Sequence, residues 1–329
     1  MKLANIFTDN MVLAANKPIR IFGDGSGDVS VTFLGKTYTS KGYYGKWEVE
    51  LDATPYGGPY EISVTLNQTT TVLKNVYVGE VILCAGQSNI EWQVSSELDA
   101  GTLKDYPLIR IWLPETMYGH NSLKSWEGWK ACTKENVVHW TAVGYHLAEK
   151  IHNEKGCAVG VIGVYRGATM IQSFIRRDLA MRPDIFVPDE KKYVDKIDYP
   201  EYNYEGKMYD VCFSQVKPMA VNNVVWYQGE TNTGVNEHAL YGKMLEVLIH
   251  SWREDLRDYN LPFAVIQIHD YFPRREDDEW KSVQRQQAEV ASKTANAYLI
   301  ESRDVSPNDV IHPQNKTALA NKIYKALYE

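Results

Sequence analysis

A serine stands between two amides in the stretch VILCAGQSNIEW, Val81 to Trp92. Apolar residues run into Gly86, Gln87, Ser88 and Asn89, and a short amphipathic segment begins behind them. Two readings fit: an ordinary strand-to-helix turn, or a nucleophile presented at the end of a buried strand. Serine attacks a carbonyl only when a base removes its proton and the base is itself oriented. Near the C-terminus, SPNDVIHPQNK places Asp309 and His312 three residues apart. On a tight turn that spacing lets the carboxylate fold back towards Nδ1 of the imidazole. It would fix the tautomer and stabilise the imidazolium formed when Nε2 takes the serine proton. A DxxH turn alone is common on protein surfaces. Paired with a strand-end serine in the same layer it is far more informative.

Acyl transfer also needs donors for the oxyanion. VIGVYRGATMIQSF puts Gly167 just after a strand, where a backbone N–H can approach a substrate with no side chain in the way. VVWYQGETN ends another strand and carries Asn232, whose amide can donate. The N–H of Ser88, at the start of a helix, would be a third donor favoured by the helix dipole. Taken singly, Gly167 is a turn glycine and Asn232 a helix cap. Their joint placement at strand ends is what argues for a site.

Other chemistries find less support. The residue two places after Ser88 is Ile90, so the GxSxG elbow is absent. No phosphate-cradling P-loop or GxGxxG fingerprint follows a strand. His139, His146 and Glu149 fall roughly on one helix face, but not at HExxH spacing and opposite the apolar stripe, so a solvated face is expected rather than a metal site. No metal and no cofactor is expected.

The elements that must hold these residues fall into two regions. Residues 1–76 read as a small all-β, sandwich-like module, with short alternating stretches such as PIRIF, VSVTFL, KWEVEL and YEISVTL between turn-rich segments. Residues 77–329 alternate near-continuous apolar strands with amphipathic helices. Strands are expected at EVILCA, IRIWL, AVGVIGV, NVVWYQ, FAVIQI and AYLIE, and helices near 138–154, 239–257, 280–294 and 315–328. This grammar predicts a three-layer α/β/α domain built on a parallel sheet. Active sites of such sheets lie outside the carboxyl ends of the strands. The charged, tyrosine-rich segment 176–210 is either a solvated excursion or a loop facing substrate.

Composition excludes several partners. The 329 residues are 44% hydrophobic and 23% charged, with a net charge of −7 from a mixed surface, so the basic face needed for nucleic acid is missing. The apolar runs are strand-sized, which argues against a membrane span. Cys84, Cys132, Cys157 and Cys212 are widely spaced and form no CxxC, so reduced core thiols are expected. MKLANIFTDNMVL lacks a signal-peptide pattern, and the chain is read as cytoplasmic, or as secreted if a leader has been removed. Nothing in the sequence speaks to oligomeric state. Aromatic residues reach 12%, with 22 Tyr and 9 Trp, which would suit stacking on sugar faces or filling a core.

With GQSN, WYQGETN and DVIHPQNK assembled, the chain resembles the SGNH hydrolases, and within them the sialate O-acetylesterase group of carbohydrate acetylesterases. NIFTDNMVL, GKWEVEL and GGPYEISV resemble that group's N-terminal module, so the likeness covers nearly the whole chain. The resemblance implies an esterase that deacetylates an O-acetylated mono- or oligosaccharide through an acetyl-enzyme. Ser88 would be the nucleophile, His312 the base and Asp309 its orienting partner, with Gly167, Asn232 and the Ser88 amide as the oxyanion hole. Gln228, Glu230, Arg166 and Trp92 are candidates for lining or bracing the substrate pocket. The chain departs from the group at YRGATMIQSF, where Arg166, Ala168, Gln172 and Phe174 replace a Gly-Gly-Thr stretch followed by an acidic residue and Trp. Two rivals remain open at this point: an esterase, lipase or thioesterase for non-sugar acyl groups, and a non-catalytic carbohydrate-binding protein.

Overall fold

The computed structural model describes residues 2–98, 101–115, 127–188, 201–234, 236–305 and 309–329. Its N-terminal part is all β. A three-stranded sheet joins β1 (Lys2–Leu3), β3 (Ile19–Asp24) and β6 (Lys46–Leu51), while β4 (Gly27–Phe33) pairs with β5 (Lys36–Gly42) and β7 (Gly57–Leu66). Period-two alternation turns Val29, Val31 and Phe33 inward on β4, and Trp47, Val49 and Leu51 inward on β6.

The two regions share a strand. β8 runs from Thr69 to Gly86 without interruption, pairing with β7 and with β2 (Val12–Ala14) in its first part and entering the central sheet in its second. The boundary at 76/77 therefore falls inside one continuous element. Its exposed start and fully buried end record the passage from module surface to core.

The central sheet has the order β10-β9-β11-β8-β12-β13-β14. The strands are β9 (Tyr106–Trp112), β10 (Lys130–Cys132), β11 (Val159–Tyr165), β12 (Asn223–Tyr227), β13 (Phe263–Ile266) and β14 (Ala297–Ile300). Every pairing is parallel except that of edge strand β10, so the sheet is mixed rather than wholly parallel. An antiparallel edge strand on an otherwise parallel sheet is common among α/β folds.

The helices are α1 (Ser88–Glu91), α2 (Ala142–Lys155), α3 (Arg177–Ala180), α4 (Lys207–Val211), α5 (Tyr241–Asp255), α6 (Asp278–Lys293) and α7 (Thr317–Tyr328). Alternate residues of β8 face opposite layers. Val81, Leu83 and Ala85 join the core that includes Met244, Leu248 and Trp252 of α5, while Ile82 and Cys84 join Val143, Leu147 and Ile151 of α2 and Leu319 and Ile323 of α7. Helix α2 is bounded by its own chemistry: Thr141 Oγ1 accepts the Gly144 N–H at 3.3 Å, and Gly156 ends it in the left-handed conformation. All four cysteines are buried and none is in a disulfide, as expected of core thiols. Among the described residues, no helix is long and apolar enough to cross a membrane.

The chain leaves β8 for β9 and β11 on one side and returns for β12 on the other. The carboxyl end of β8 is thus the point where the strand order reverses, the position at which open α/β sheets bind their ligands. Ser88 is at that point.

Candidate active site

Gly86 closes β8 at φ +135°, and a Cβ added to it would sit 2.1 Å from the Tyr227 carbonyl oxygen on β12. Only glycine tolerates both the dihedral and the approach. The Gln87 N–H then bonds the same carbonyl at 3.1 Å, and the chain turns into α1. In this buried stretch Gln87, Asn89 and Ile90 face inward, and Ser88 alone is partly exposed. Helix α1 has only four residues, so the dipole expected to assist the Ser88 amide is small.

His312 lies between β14 and α7, and its Nε2 is 2.8 Å from Ser88 Oγ. Residues 224 positions apart in the chain have been brought into hydrogen-bond contact. The imidazole stacks on Trp92, with centroids 4.8 Å apart and planes at 24°. Burial, then the charges of Lys316 and His269, hold His312 below the usual histidine pKa. It is therefore neutral at physiological pH, as a base receiving a serine proton must be. Asp309 is exposed and makes no hydrogen bond to His312, whose Nδ1 has no partner among the described residues. The turn is held by other groups. His269 Nε2 meets the Val310 carbonyl at 2.8 Å, and Asn89 Nδ2 donates to the Ile311 carbonyl at 3.0 Å.

The neighbouring strands deliver the other expected residues. After β11, the Arg166 N–H bonds the Gly86 carbonyl, and Gly167 comes beside the nucleophile: a Cβ on it would lie 3.6 Å from Ser88 Cβ. Its N–H is occupied, donating to Glu91 Oε2 at 2.6 Å. After β12, Asn232 is fully buried. Its Oδ1 accepts from the Ile171 N–H and from Gln228 Nε2, and its Nδ2 donates to Gln172 Oε1 at 3.0 Å. Asn232 ties the two flanking loops together, and its amide is turned to Gln172 rather than to a free oxyanion position. Gln228 is likewise an interior brace, reaching Gln87 Oε1 and the Thr169 carbonyl.

Glu230 is also buried and accepts from Asn89 Nδ2 at 2.7 Å; burial raises its pKa. Arg166 lies over the Tyr202 ring at 4.5 Å. The departure at 166–174 is thus largely internal: Gln172 serves Asn232, and Phe174 packs edge-on against Trp226 at 5.2 Å. Asn203 bonds the Met170 N–H and the Ala168 carbonyl, so the returning end of the 176–210 segment braces this loop rather than being wholly solvated. Residues 189–200 of that segment lie outside the described residues.

The expectation for His146 is corrected as well. His146 does not lie on a solvated face: it is buried, with Nε2 2.8 Å from Glu97 Oε2. The segment after α1 folds over the start of α2, with Gln93 bridged to Thr141 and Glu97 bonded to His146, so this face is covered there.

A family model described as carbohydrate esterase, sialic acid-specific acetylesterase, matches residues 78–327. The chain belongs to that family. It is similar to the sialate O-acetylesterase of Homo sapiens, 25% identical over 371 residues that cover 98% of this chain and 69% of the relative. The Rattus norvegicus sialate O-acetylesterase is 24% identical over 387 residues, covering 97% and 71%. In fold it is similar to a carbohydrate acetylesterase from Xanthomonas citri, with TM-score 0.82 and 24% identity over 99% of this chain and 75% of that one. Family membership makes the chain a carboxylic ester hydrolase. Ser88 and His312 lie within the matched span, as do Glu91, His269 and Lys316. Sequence reasoning assigned no role to those last three, because nothing local marks a carboxylate or a lysine as buried against a partner far along the chain.

Proposed function

We propose that this chain removes O-acetyl groups from a carbohydrate through Ser88, His312 and Asp309. The observation that carries the reading is the 2.8 Å contact between Ser88 Oγ and His312 Nε2 at the switch point of the sheet. Ser88 Oγ attacks the acetyl carbonyl carbon as His312 Nε2 takes the hydroxyl proton. The tetrahedral intermediate collapses, the bond from the acetyl carbon to the sugar oxygen breaks, and His312 returns the proton to that oxygen. Water, deprotonated by the same nitrogen, then attacks the acetyl-enzyme; the bond from the acetyl carbon to Ser88 Oγ breaks, acetate leaves, and His312 returns the proton to Oγ.

His312 Nδ1 has no partner among the described residues, which supports Asp309 as the third member, since catalytic hydrogen bonds often tighten only when substrate covers the site. The amides of Ser88 and Gly167 are the donors beside the nucleophile, and a substrate oxygen reaching Gly167 displaces Glu91. Asn232 supports the hole by fixing the loops.

Acetate release from a panel of O-acetylated sialosides, xylan and pectin fragments, alongside longer acyl esters, tests the reading. Release from an acetylated sugar, lost in Ser88→Ala, is expected. Activity confined to long-chain or thioester substrates would reassign the substrate class.

A further inference from the structure

Lys316 is 1% exposed, a lysine inside the protein just before α7. Its Nζ donates to Asn89 Oδ1 at 2.8 Å. The two hydrogens of Asn89 Nδ2 go to the Ile311 carbonyl at 3.0 Å and to Glu230 Oε1 at 2.7 Å. Asn89 directly follows the nucleophile and Ile311 directly precedes the base. One amide therefore spans the two turns whose separation sets the Ser88–His312 contact. We propose that Lys316 is a positioning residue that fixes this amide, and through it the geometry between nucleophile and base; the proposal rests on the esterase reading above.

The argument is one of orientation. An amide has an acceptor end and a donor end, and either can face a given neighbour. The lysine ammonium can only donate, so it dictates that Oδ1 faces α7. That leaves Nδ2 facing two acceptors, the Glu230 carboxylate and the Ile311 carbonyl. Without the ammonium, Oδ1 loses its donor in a buried site, where an unmet polar atom is costly. Lys316 is held at its other end too, its backbone N–H bonded to Glu97 Oε1 at 2.8 Å and Glu97 Oε2 bonded to His146.

The charge has a second effect. Lys316 faces Asn89, the carboxylates of Glu230 and Glu97, and the Tyr227 ring at 5.4 Å. His312 faces Ser88 Oγ, the Trp92 ring, Lys316 and His269, with Asp309 on its own turn. Burial brings the Lys316 pKa down to about 7, so the amine is charged throughout the acidic range in which His312 titrates. There it disfavours the imidazolium and keeps the free base available at lower pH.

Kinetics of full-length Lys316→Met and Lys316→Arg on a chromogenic acetyl ester test the proposal, with thermal melts to verify folding. In K316M, kcat is expected to fall roughly 10- to 100-fold with KM little changed, as for a small displacement of reacting groups. The acid limb of kcat/KM should move up by roughly half a unit to one unit, because a cation beside His312 is gone. K316R keeps the charge and should keep the limb where the wild type has it. A K316M profile that superimposes on wild type in kcat and acid limb overturns the proposal, as does the same limb shift in both variants. Should K316M not fold, Asn89→Ala carries the test: kcat falls by a similar factor at constant KM, and an unchanged kcat overturns it. Ser88→Ala separates the two claims. Activity surviving in S88A sinks the serine-esterase reading, whereas activity lost there beside a wild-type-like K316M sinks only the role of Lys316.

Discussion

The carboxylate of Glu91 accepts the backbone N–H of Gly167 at 2.6 Å, one helical turn from the nucleophile. Burial raises the Glu91 pKa, while the Gly167 bond and the charge of Arg166 oppose that rise. A substrate carbonyl that uses this amide competes with a side chain already on it. Glu91→Ala should therefore raise kcat/KM for a small acetyl ester by roughly tenfold, the worth of one charge-assisted hydrogen bond. A fall in kcat/KM would instead make the carboxylate a working part of the site.

Asp309 is exposed, and His312 Nδ1 has no acceptor among the described residues. If the carboxylate engages when substrate binds, Asp309→Asn should lower kcat by roughly 10^2 to 10^4 while KM stays close to wild type. A loss below threefold, measured at saturating substrate, would leave the orientation of the base to Trp92 and the pinned turn alone.

The stack of Trp92 on His312 restrains the imidazole plane. Trp92→Ala should cost about tenfold in kcat by loosening that plane, and Trp92→Phe should recover most of it. Equal losses in both variants would point to the Trp92 Nε1 bond to the Ser96 carbonyl as the feature that matters.

His146 gives the pH dependence of stability a definite sign. Burial opposes its charge, but Glu149 and Glu97 outweigh burial and raise its pKa to about 9. A raised folded-state pKa stabilises most fully below the ordinary imidazole value and is lost as pH climbs through about 9. The gap in unfolding free energy between wild type and His146→Gln should be widest near pH 6, on the order of 3 kcal/mol, and close at alkaline pH. Urea titrations at several pH values measure it; a gap that does not narrow would deny that His146 is charged in the fold.

Gly86→Ala should disrupt the nucleophile turn itself. The new Cβ would meet the Tyr227 carbonyl at 2.1 Å, with φ in a region closed to alanine. A loss of about 3 kcal/mol or more, seen as a lowered melting midpoint, is expected together with loss of activity.

What the sequence made legible follows from range. The runs VILCA, VGVIGV and VVWY carry no polar side chain on either face until tyrosine or the turn, because both faces are covered, and that pattern is local. Ser88 and His312 could be paired because strand ends of one sheet share an edge. By contrast, Asn232 was read as an open donor, and only the folded chain shows its amide against Gln172. His146 was read as solvated because Glu97 lies 49 residues away. Lys316 lies 227 residues from Asn89, and a lysine in a polar turn carries no local mark of burial. The mixed edge of the sheet was missed because Lys130–Cys132 is too short to show a periodicity.

The uninterrupted course of β8 also limits how this protein can be taken apart or recombined. A cut at 76/77 would sever one strand that is paired on both sides of the cut, leaving each fragment with open sheet edges. The fragments would also lose the Arg110 side chain, which reaches the carbonyls of Asn10 and Asn75, and the Trp129 indole, which reaches that of Ile6. The N-terminal strands are therefore not a detachable accessory to be grafted or trimmed. Shuffling between relatives should succeed when the whole β2–β8 block travels with its catalytic sheet.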